Sequence, residues 1–224
     1  ELAVYEDPKV MEILDARLKE VNLKFWFVTQ WDPANGIWSK NEIKTIEDIK
    51  GMKMSVAGGF YGNLGAKNMG ASAVAITSAE LAPAMMTGTV DGVLTSLGYG
   101  YSIGLAKVSK YYTLTPLNPT WTAYTVINRK TFDSMPPDLQ EALMDVGKEL
   151  QRMVCLSTTA EYVMSLDTVT LSGVQLKSLP PAELKKALGK VKVVEEKWLK
   201  DTGDEGKELL KAVNEAVSRY RNCQ

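Results

Sequence analysis

The sequence predicts an α/β protein with a parallel-rich sheet, and the stretch Thr45–Ser96 is the main reason. In that stretch, short apolar runs of strand length alternate with helical segments. The apolar runs are Met52–Ala57, Ser72–Thr77 and Val90–Thr95. The helical segments are Phe60–Met69 and Ala79–Thr87. Strands that alternate with helices form βαβ units, and such units build parallel sheets.

The carboxyl ends of these three strands are where we expect a ligand. In open parallel sheets, ligands bind in the crevice beyond those ends. The ends are Ser55–Gly59, Thr77–Ser78 and Leu94–Ser96. The glycine-rich turn Gly58–Gly65 follows the first strand and opens a helix, whose free N–H groups favour an anion. Its glycine spacing departs from the dinucleotide-binding fingerprint, and a flexible turn that holds no ligand is the other interpretation.

The segment before this stretch predicts a helix, a strand and a loop. Asp7 followed by Pro8 is typical of a helix start. Leu23–Thr29 is rich in aromatic and β-branched residues, so it predicts a buried strand. Gln30–Asn41 contains a proline and a glycine, and we predict a loop there.

The segment after this stretch predicts mainly helices. Gly98–Val108 is predicted to be helical, and Tyr111–Thr115 and Thr122–Asn128 are predicted strands. A long helix opens at Asp133–Pro137 and extends past Tyr162. Its predicted buried stripe consists of Leu139, Leu143, Val146, Leu150, Met153 and Val154. The remaining predicted elements are a strand at Val174–Lys177, a helix from Pro180 to about Gly203, and a helix at Glu205–Tyr220.

Composition excludes several classes of function. The chain has 26 basic and 27 acidic residues, so it offers no electrostatic footprint for nucleic acid. It contains no histidine, which removes Ser-His and Cys-His nucleophile pairs and histidine-zinc sites. Cys155 and Cys223 fit no metal-binding spacing. We therefore predict no metal site.

Three acidic residues near the predicted strands keep an enzymatic interpretation open. They are Asp48, Glu80 and Asp91. Hydrolysis by a carboxylate pair would need two of them to face each other across one cleft. Their ordinary interpretation is structural, since Glu80 is favourable in the first turn of a helix.

Residues spread along the whole chain resemble one family of proteins. They are Ile46–Met54 (IEDIKGMKM), Met69–Leu81 (MGASAVAITSAEL), Met86–Gly92 (MTGTVDG), Lys110–Thr115 (KYYTLT), Val126–Leu143 (VINRKTFDSMPPDLQEAL) and Trp198–Gly203 (WLKDTG). In this order and spacing they resemble the DctP-like solute-binding proteins of tripartite ATP-independent periplasmic (TRAP) transporters.

The resemblance implies a periplasmic-binding-protein-like receptor with two α/β lobes and a long helix that braces both. Such a receptor closes on a small organic acid and delivers it to a membrane permease, without enzymatic activity or a cofactor. Family members carry further βαβ units before the point that matches Glu1, so we expect lobe one to be N-terminally incomplete. A periplasmic location is implied by the resemblance alone.

The resemblance also implies where the ligand contacts lie, and four of those positions carry other residues here. Arginines of the family's carboxylate clamp fall at Ser55 and Asn35, a pocket aromatic falls at Ser78, and an asparagine falls at Thr95. Serine and asparagine do not reproduce the charge of an arginine fork. A neutral or hydroxylated ligand, an acid held by backbone amides at Gly58–Phe60, or a site that binds nothing fits these residues.

We therefore predict the solute-binding receptor of a TRAP-type transporter, which captures an organic acid or a related polar metabolite by lobe closure. The predicted hydrogen-bonding anchors are Asn35, Ser55, Ser78 and Thr95. The predicted apolar walls are Phe60, Tyr99 and Trp121. The alternative function is a truncated receptor that acts as an oligomerising or protein-interaction module without capturing a ligand.

Two further expectations concern organisation. We assign residues 1–31 and 116–150 to the remainder of lobe one and its connections, and residues 32–115 and 151–224 to lobe two with the C-terminal helices. We also expect a homo-oligomer, because an incomplete lobe would expose strand edges that pairing with another chain satisfies.

Overall fold

A computed structural model describes residues 2–32, 35–56, 59–115 and 121–221. The helices in these ranges are α1 (Leu2–Tyr5), α2 (Pro8–Glu20), α3 (Gly59–Asn68), α4 (Leu81–Thr87), α5 (Leu97–Ser102), α6 (Arg129–Asp133), α7 (Pro137–Leu171) and α8 (Pro181–Arg221). The strands are β1 (Leu23–Asp32), β2 (Asn35–Ser39), β3 (Lys53–Val56), β4 (Ser72–Ala73), β5 (Gly92–Ser96), β6 (Tyr111–Leu114), β7 (Trp121–Asn128) and β8 (Gln175–Ser178). Short 3-10 turns lie at Ile46–Ile49, Ser78–Glu80 and Leu105–Lys107. No described helix is both long enough and apolar enough to cross a membrane.

The chain divides into two compact units. Unit 1 comprises Glu1–Trp31, Thr122–Leu156 and Trp198–Gln224. Unit 2 comprises Asp32–Trp121 and Ser157–Lys197. Both α7 and α8 contribute residues to each unit.

Unit 2 contains a six-stranded sheet in the order β4-β3-β5-β2-β6-β8. Strand β3 pairs in parallel with β4 and β5, and β6 pairs in parallel with β8. The predicted βαβ units of Thr45–Ser96 are therefore present, with shorter strands than the apolar runs suggested. Residues 116–120, which connect β6 to β7, lie outside the described residues. Strands β6 and β7 belong to different sheets.

Strand β2 corrects the predicted loop at Gln30–Asn41. It lies in the middle of the sheet and pairs antiparallel with both β5 and β6. All five of its residues are buried, and Trp38 is completely inaccessible to solvent. Gly36 is required there, because a Cβ at this position would lie 2.6 Å from the carbonyl oxygen of Thr113. The glycine that suggested a loop instead permits the close approach of two strands.

The two faces of this sheet are covered by different helices. One face carries Ile37, Met54 and Leu94 beneath α3 and the first part of α8, and we call it the α3 face. The other carries Trp38, Val93 and Tyr112 beneath α4, α5 and the last part of α7, and we call it the α4 face. Because side chains alternate along a strand, the register assigns every residue of the sheet to one face.

Unit 1 is built around the two-stranded sheet β1-β7 and its helices. Helix α2 begins as predicted, with the Asp7 side chain accepting from the N–H groups of Lys9 and Val10. Val10 packs against Ala212 and Ala216 of α8. Residues 198–224 belong to unit 1. The assignment of 151–224 to lobe two stays a prediction.

Helix α7 is as long as predicted, but half of its predicted buried stripe is exposed. The exposed members are Leu139 (54%), Val146 (49%) and Met153 (64%). The helix packs on β1 through a neighbouring stripe. There the Trp26 indole N–H donates to the carbonyl oxygen of Leu143 at 2.7 Å, and Gly147 admits the same ring. The apolar spacing predicted which face of α7 is buried, but in unit 1 a neighbouring face of the helix contacts β1.

Helix α8 breaks at Gly203, close to the predicted boundary between two helices. Gly203 has φ 64° and ψ −139°, a conformation essentially restricted to glycine. The C-terminal helical segment that follows is the one that packs on α2 in unit 1.

Candidate functional site

The carboxyl edge of the unit 2 sheet is the candidate site. Strands β3 and β5 both end at this edge and are neighbours. The chain leaves β3 through α3 on one face, whereas α5 follows β5 on the other. Adjacent strands whose connections leave in opposite directions create a crevice beyond their carboxyl ends, and ligands of α/β sheets bind there.

Asn35 lies at this edge and is almost fully buried, with 1% of its surface exposed. It opens β2 opposite Ser96, the last residue of β5, on the α3 face. Neither Oδ1 nor Nδ2 of its side chain has a hydrogen-bond partner among the described residues. Buried amides are nearly always paired, so Asn35 stands out as a buried amide that the described part of the sheet leaves without a partner.

Thr113 of β6 and Thr115, just beyond the end of β6, share the same face, and the sequence analysis missed both. Thr115 lies opposite Asn35 and donates its N–H to the Asn35 carbonyl oxygen at 3.4 Å. Thr113 lies one rung deeper, opposite Ile37. Both threonine hydroxyls are buried and unpartnered within the described ranges. The missed signal was their alternation with Tyr112 and Leu114 along one strand.

Ser55 and Thr95 are also buried at this edge, but on the α4 face. Ser55 is the register partner of Val93, and Thr95 that of Gly36. Beneath Thr95, the Tyr112 hydroxyl donates to its carbonyl oxygen at 3.4 Å. Strand pairing on both sides and this hydrogen bond hold Thr95 at the end of β5.

The other predicted residues lie on the turns that follow the strands. Ser78, in the turn after β4, is exposed. Phe60 stands in the first turn of α3 with 60% of its surface exposed, beside Tyr61 and under the Lys197 ammonium, which is 5.5 Å from its ring centroid. Tyr99 is 39% exposed, and its N–H donates to the Ser96 hydroxyl that caps α5.

The structure describes Trp121 and the glycine-rich turn only in part. Trp121 begins β7, and its side chain lies outside the described residues. Gly58, the first residue of the predicted anion-binding turn, lies outside them as well. Both therefore stay predictions.

The acidic residues do not form a catalytic pair at this edge. Glu80 follows the carboxyl end of β4, whereas Asp91 precedes the amino end of β5. Asp91 accepts from the N–H of Lys53 at 2.9 Å. Hydrogen bonds from the N–H groups of Thr45 and Lys44 lower the pKa of Asp48, which keeps it ionised. Among the described residues, no cluster of three or more metal-ligating side chains is found.

Two surface grooves lie away from the predicted residues. One, of about 630 Å³, runs along the end of α8 in unit 1 beside Leu210 and Lys211. The other, of about 360 Å³, lies beside Asp48 and Asp91 in unit 2. Neither is lined by a predicted ligand-binding residue.

Comparison with known families is decisive for the class of protein. The model of the DctP family, described as bacterial extracellular solute-binding protein family 7, matches residues 2–201. The chain belongs to the DctP family. The resemblance seen in the sequence is thereby confirmed, and DctP proteins are extracytoplasmic solute receptors rather than a class of enzymes.

Two curated relatives are named for solute binding. The 2,3-diketo-L-gulonate-binding periplasmic protein YiaO of Escherichia coli K12 is 28% identical over 217 residues, covering 93% of this chain. A solute-binding protein of Albidiferax ferrireducens is 27% identical over 156 residues, covering 68% of this chain. The matches span 63% and 46% of those relatives' own lengths, so this DctP-family chain corresponds to part of each.

Solved structures share the fold. The ectoine-binding protein of the TeaABC TRAP transporter of Halomonas elongata superposes with a TM-score of 0.88 at 19% identity, over 97% of this chain and 72% of that one. DctP7 of Bordetella pertussis, a receptor that binds pyroglutamic acid, gives a TM-score of 0.80 at 24% identity over 94% and 70%. The predicted α/β periplasmic-binding-protein-like fold is confirmed.

Proposed function

We propose that this DctP-family chain captures a small organic acid or a related polar metabolite at the carboxyl edge of unit 2. The observation that supports it is the set of buried, uncharged hydrogen-bonding side chains at this edge. Asn35, Ser55 and Thr95 come from three neighbouring strands and lie at the same edge of the sheet, Asn35 on the α3 face and Ser55 and Thr95 on the α4 face. Few polar groups set in a mostly apolar lining are typical of small-molecule sites.

Relatives support the chemical class of the ligand. A receptor of Sulfitobacter is described with bound β-D-galacturonate, and one of Rhodoferax ferrireducens with bound malonate. Two others are named for pyroglutamate or ectoine. All four of these ligands are small and polar, and each carries a carboxyl group. For this chain we propose the same size and polarity, with Phe60, Tyr99 and Trp121 as apolar walls.

The rest of the role follows the family. We propose that the ligand leaves chemically unchanged, without a cofactor, and passes to a TRAP membrane permease after closure of the two lobes. A periplasmic location belongs to the same proposal. The comparisons give no support to the alternative of an interaction module that captures no ligand.

Thermal unfolding against a panel of acids, lactams and sugar acids tests the proposal. A ligand at about 100 times its Kd stabilises the folded state by about 2.7 kcal/mol. For a chain of this size, that raises Tm by roughly 5 to 11 °C. Thr95→Ala should abolish the shift. Ser109→Ala should keep it, because Ser109 precedes β6 at the opposite edge and its hydroxyl bonds the Met85 sulfur.

A cooperative melt that no compound shifts would reject the proposal. A shift that survives in Thr95→Ala and disappears in Ser109→Ala would reject this location of the site.

We also propose that unit 1 associates with a second copy through the exposed face of α7. Leu139, Val146 and Met153 repeat every seven residues along it, which is the spacing of a coiled-coil seam. Met153→Glu should convert a dimeric mass in light scattering to a monomeric one. Lys148→Glu, on another exposed face of α7, should leave the dimer intact. A monomeric mass for the unaltered protein would contradict this proposal.

A further inference from the structure

We infer that unit 2 recognises a neutral group of the ligand that carries a hydrogen-bond donor beside an acceptor, such as a lactam or neighbouring hydroxyls. This inference rests on the proposed function, because it names the chemical group of the ligand that the receptor would recognise. It starts from Asn35 and Thr115, whose buried side-chain polar atoms have no partner within the described chain.

The position of these side chains argues for a ligand rather than for packing alone. Asn35 and Thr115 lie opposite each other on the α3 face, at the edge where β5 ends. Asparagine is disfavoured in strands, and an unpaired buried amide is costly. An apolar residue would fill the same space without that cost. Asparagine at this rung is therefore explained by a partner that arrives from outside the sheet.

The chemistry of the side chains selects the partner. The Asn35 amide presents one acceptor and one donor group side by side, and the Thr115 hydroxyl can do either. A carboxylate offers only acceptors, so it would leave the Asn35 carbonyl oxygen unpaired. A lactam or a pair of hydroxyls satisfies both ends of the amide at once.

The absence of ionisable side chains among the buried polar residues of these strands also favours recognition of a neutral group. The buried polar side chains that β2, β3 and β5 bring to this edge within the described ranges are Asn35, Ser55, Thr95 and Ser96. None of them is ionisable. An ionised carboxylate bound against these side chains would lose its water without gaining a paired cation, which is unfavourable. Any acidic group of the ligand must therefore be held by other residues.

Isothermal titration calorimetry with three probes tests the inference. L-Pyroglutamate carries a lactam, D-galacturonate carries neighbouring hydroxyls, and malonate carries only carboxylates. We expect the unaltered protein to bind pyroglutamate or galacturonate at least about tenfold more tightly than malonate. Asn35→Leu should remove that preference while the protein stays folded, because the change eliminates two unpaired polar atoms.

Ser109→Ala is the control. It removes a buried hydroxyl of unit 2 that lies at the opposite edge of the sheet and bonds the Met85 sulfur. The preference over malonate should survive in this variant. Asn35→Asp, which replaces the donor by a second acceptor, should lose the preference as Asn35→Leu does.

Each other outcome is decisive. Tighter binding of malonate, or an unchanged preference in Asn35→Leu, overturns the inference and leaves the proposed function standing. Loss of the preference in Ser109→Ala together with Asn35→Leu overturns the assignment to the edge. Binding of no probe by a cooperatively melting protein overturns the inference, and the proposed function falls with it only if no compound of the wider thermal-unfolding panel shifts Tm.

Discussion

Replacing Gly36 by alanine is expected to destabilise unit 2 and to displace its ligand-binding edge. The added Cβ would lie 2.6 Å from the carbonyl oxygen of Thr113 and 2.7 Å from the ring of Tyr112. Real Cβ atoms essentially never approach other atoms within 3.0 Å, so β2 and β6 must separate. Overpacking of a filled core costs about 1 to 3 kcal/mol. A cost of about 2 kcal/mol lowers Tm by roughly 4 to 8 °C in a chain of this length.

The assay is thermal unfolding by circular dichroism, with Gly189→Ala as the matched control. Gly189 lies in α8, and a Cβ there meets nothing within 4 Å. Alanine in a helix interior is more stable than glycine by roughly 0.5 to 1 kcal/mol. Gly36→Ala should therefore lower Tm while Gly189→Ala raises it slightly. A Tm for Gly36→Ala within about a degree of the unaltered protein would refute the argument for close strand approach.

Two further predictions concern buried polar contacts. Hydrogen bonds from the Lys186 ammonium and the N–H of Ile46 lower the pKa of Glu183. A lowered pKa in the folded state stabilises the protein above the unfolded value of about 4.3, and that stability is lost as pH falls through the folded pKa. Glu183→Gln should therefore flatten the loss of Tm on acidification, and an unchanged pH profile would contradict this. Gln151→Leu should cost unit 1 about 1 to 3 kcal/mol in urea denaturation, because the N–H of Val28, which donates to Gln151 at 3.0 Å, loses its partner. Gln151→Glu, which keeps the acceptor, should recover most of the loss, and equal destabilisation by both variants would argue against the bond.

The βαβ core was predictable because its signals are local. Apolar runs, glycine turns and helical spacing within Thr45–Ser96 located β3, β4, β5 and the intervening helices to within a few residues. The break at Gly203 was also visible, since glycine punctuates helices locally. In both cases the residues that determine the structure are neighbours in the sequence.

Strand β2 and the exposed face of α7 could not be predicted in the same way. Trp38 and Gly36 become strand residues only because β5 and β6 flank them, and nothing within Gln30–Asn41 reveals those partners. Along α7, the spacing of Leu139, Val146 and Met153 indicates an apolar face but not which face the neighbouring strand covers. Both depend on contacts between residues distant in sequence.

The site residues follow the same distinction between local signals and contacts between residues distant in sequence. Ser55 and Thr95 end strands that the sequence located, and both are buried at the predicted edge. The family resemblance placed Asn35 at a ligand-contact position, and β2 now gives it a rigid place in the sheet. Thr113 and Thr115 were missed because their relation to Asn35 is a matter of strand register. Register between distant strands is not encoded in any short stretch of sequence.

The central position of β2 has a consequence for how the protein folds. Gly36 pairs with Leu114, and β3, β4 and β5 lie between them in the chain. The edge strand β8 pairs with β6 across the whole of α7. Pairings between such distant residues raise contact order and slow folding. On a ribosome, β2 must wait until β6 has emerged before its second edge is paired. We expect Asn35 to reach its native environment after the β3-α3-β4 unit has formed. The residue pair proposed to contact the ligand, Asn35 and Thr115, is therefore among the last parts of unit 2 to be completed.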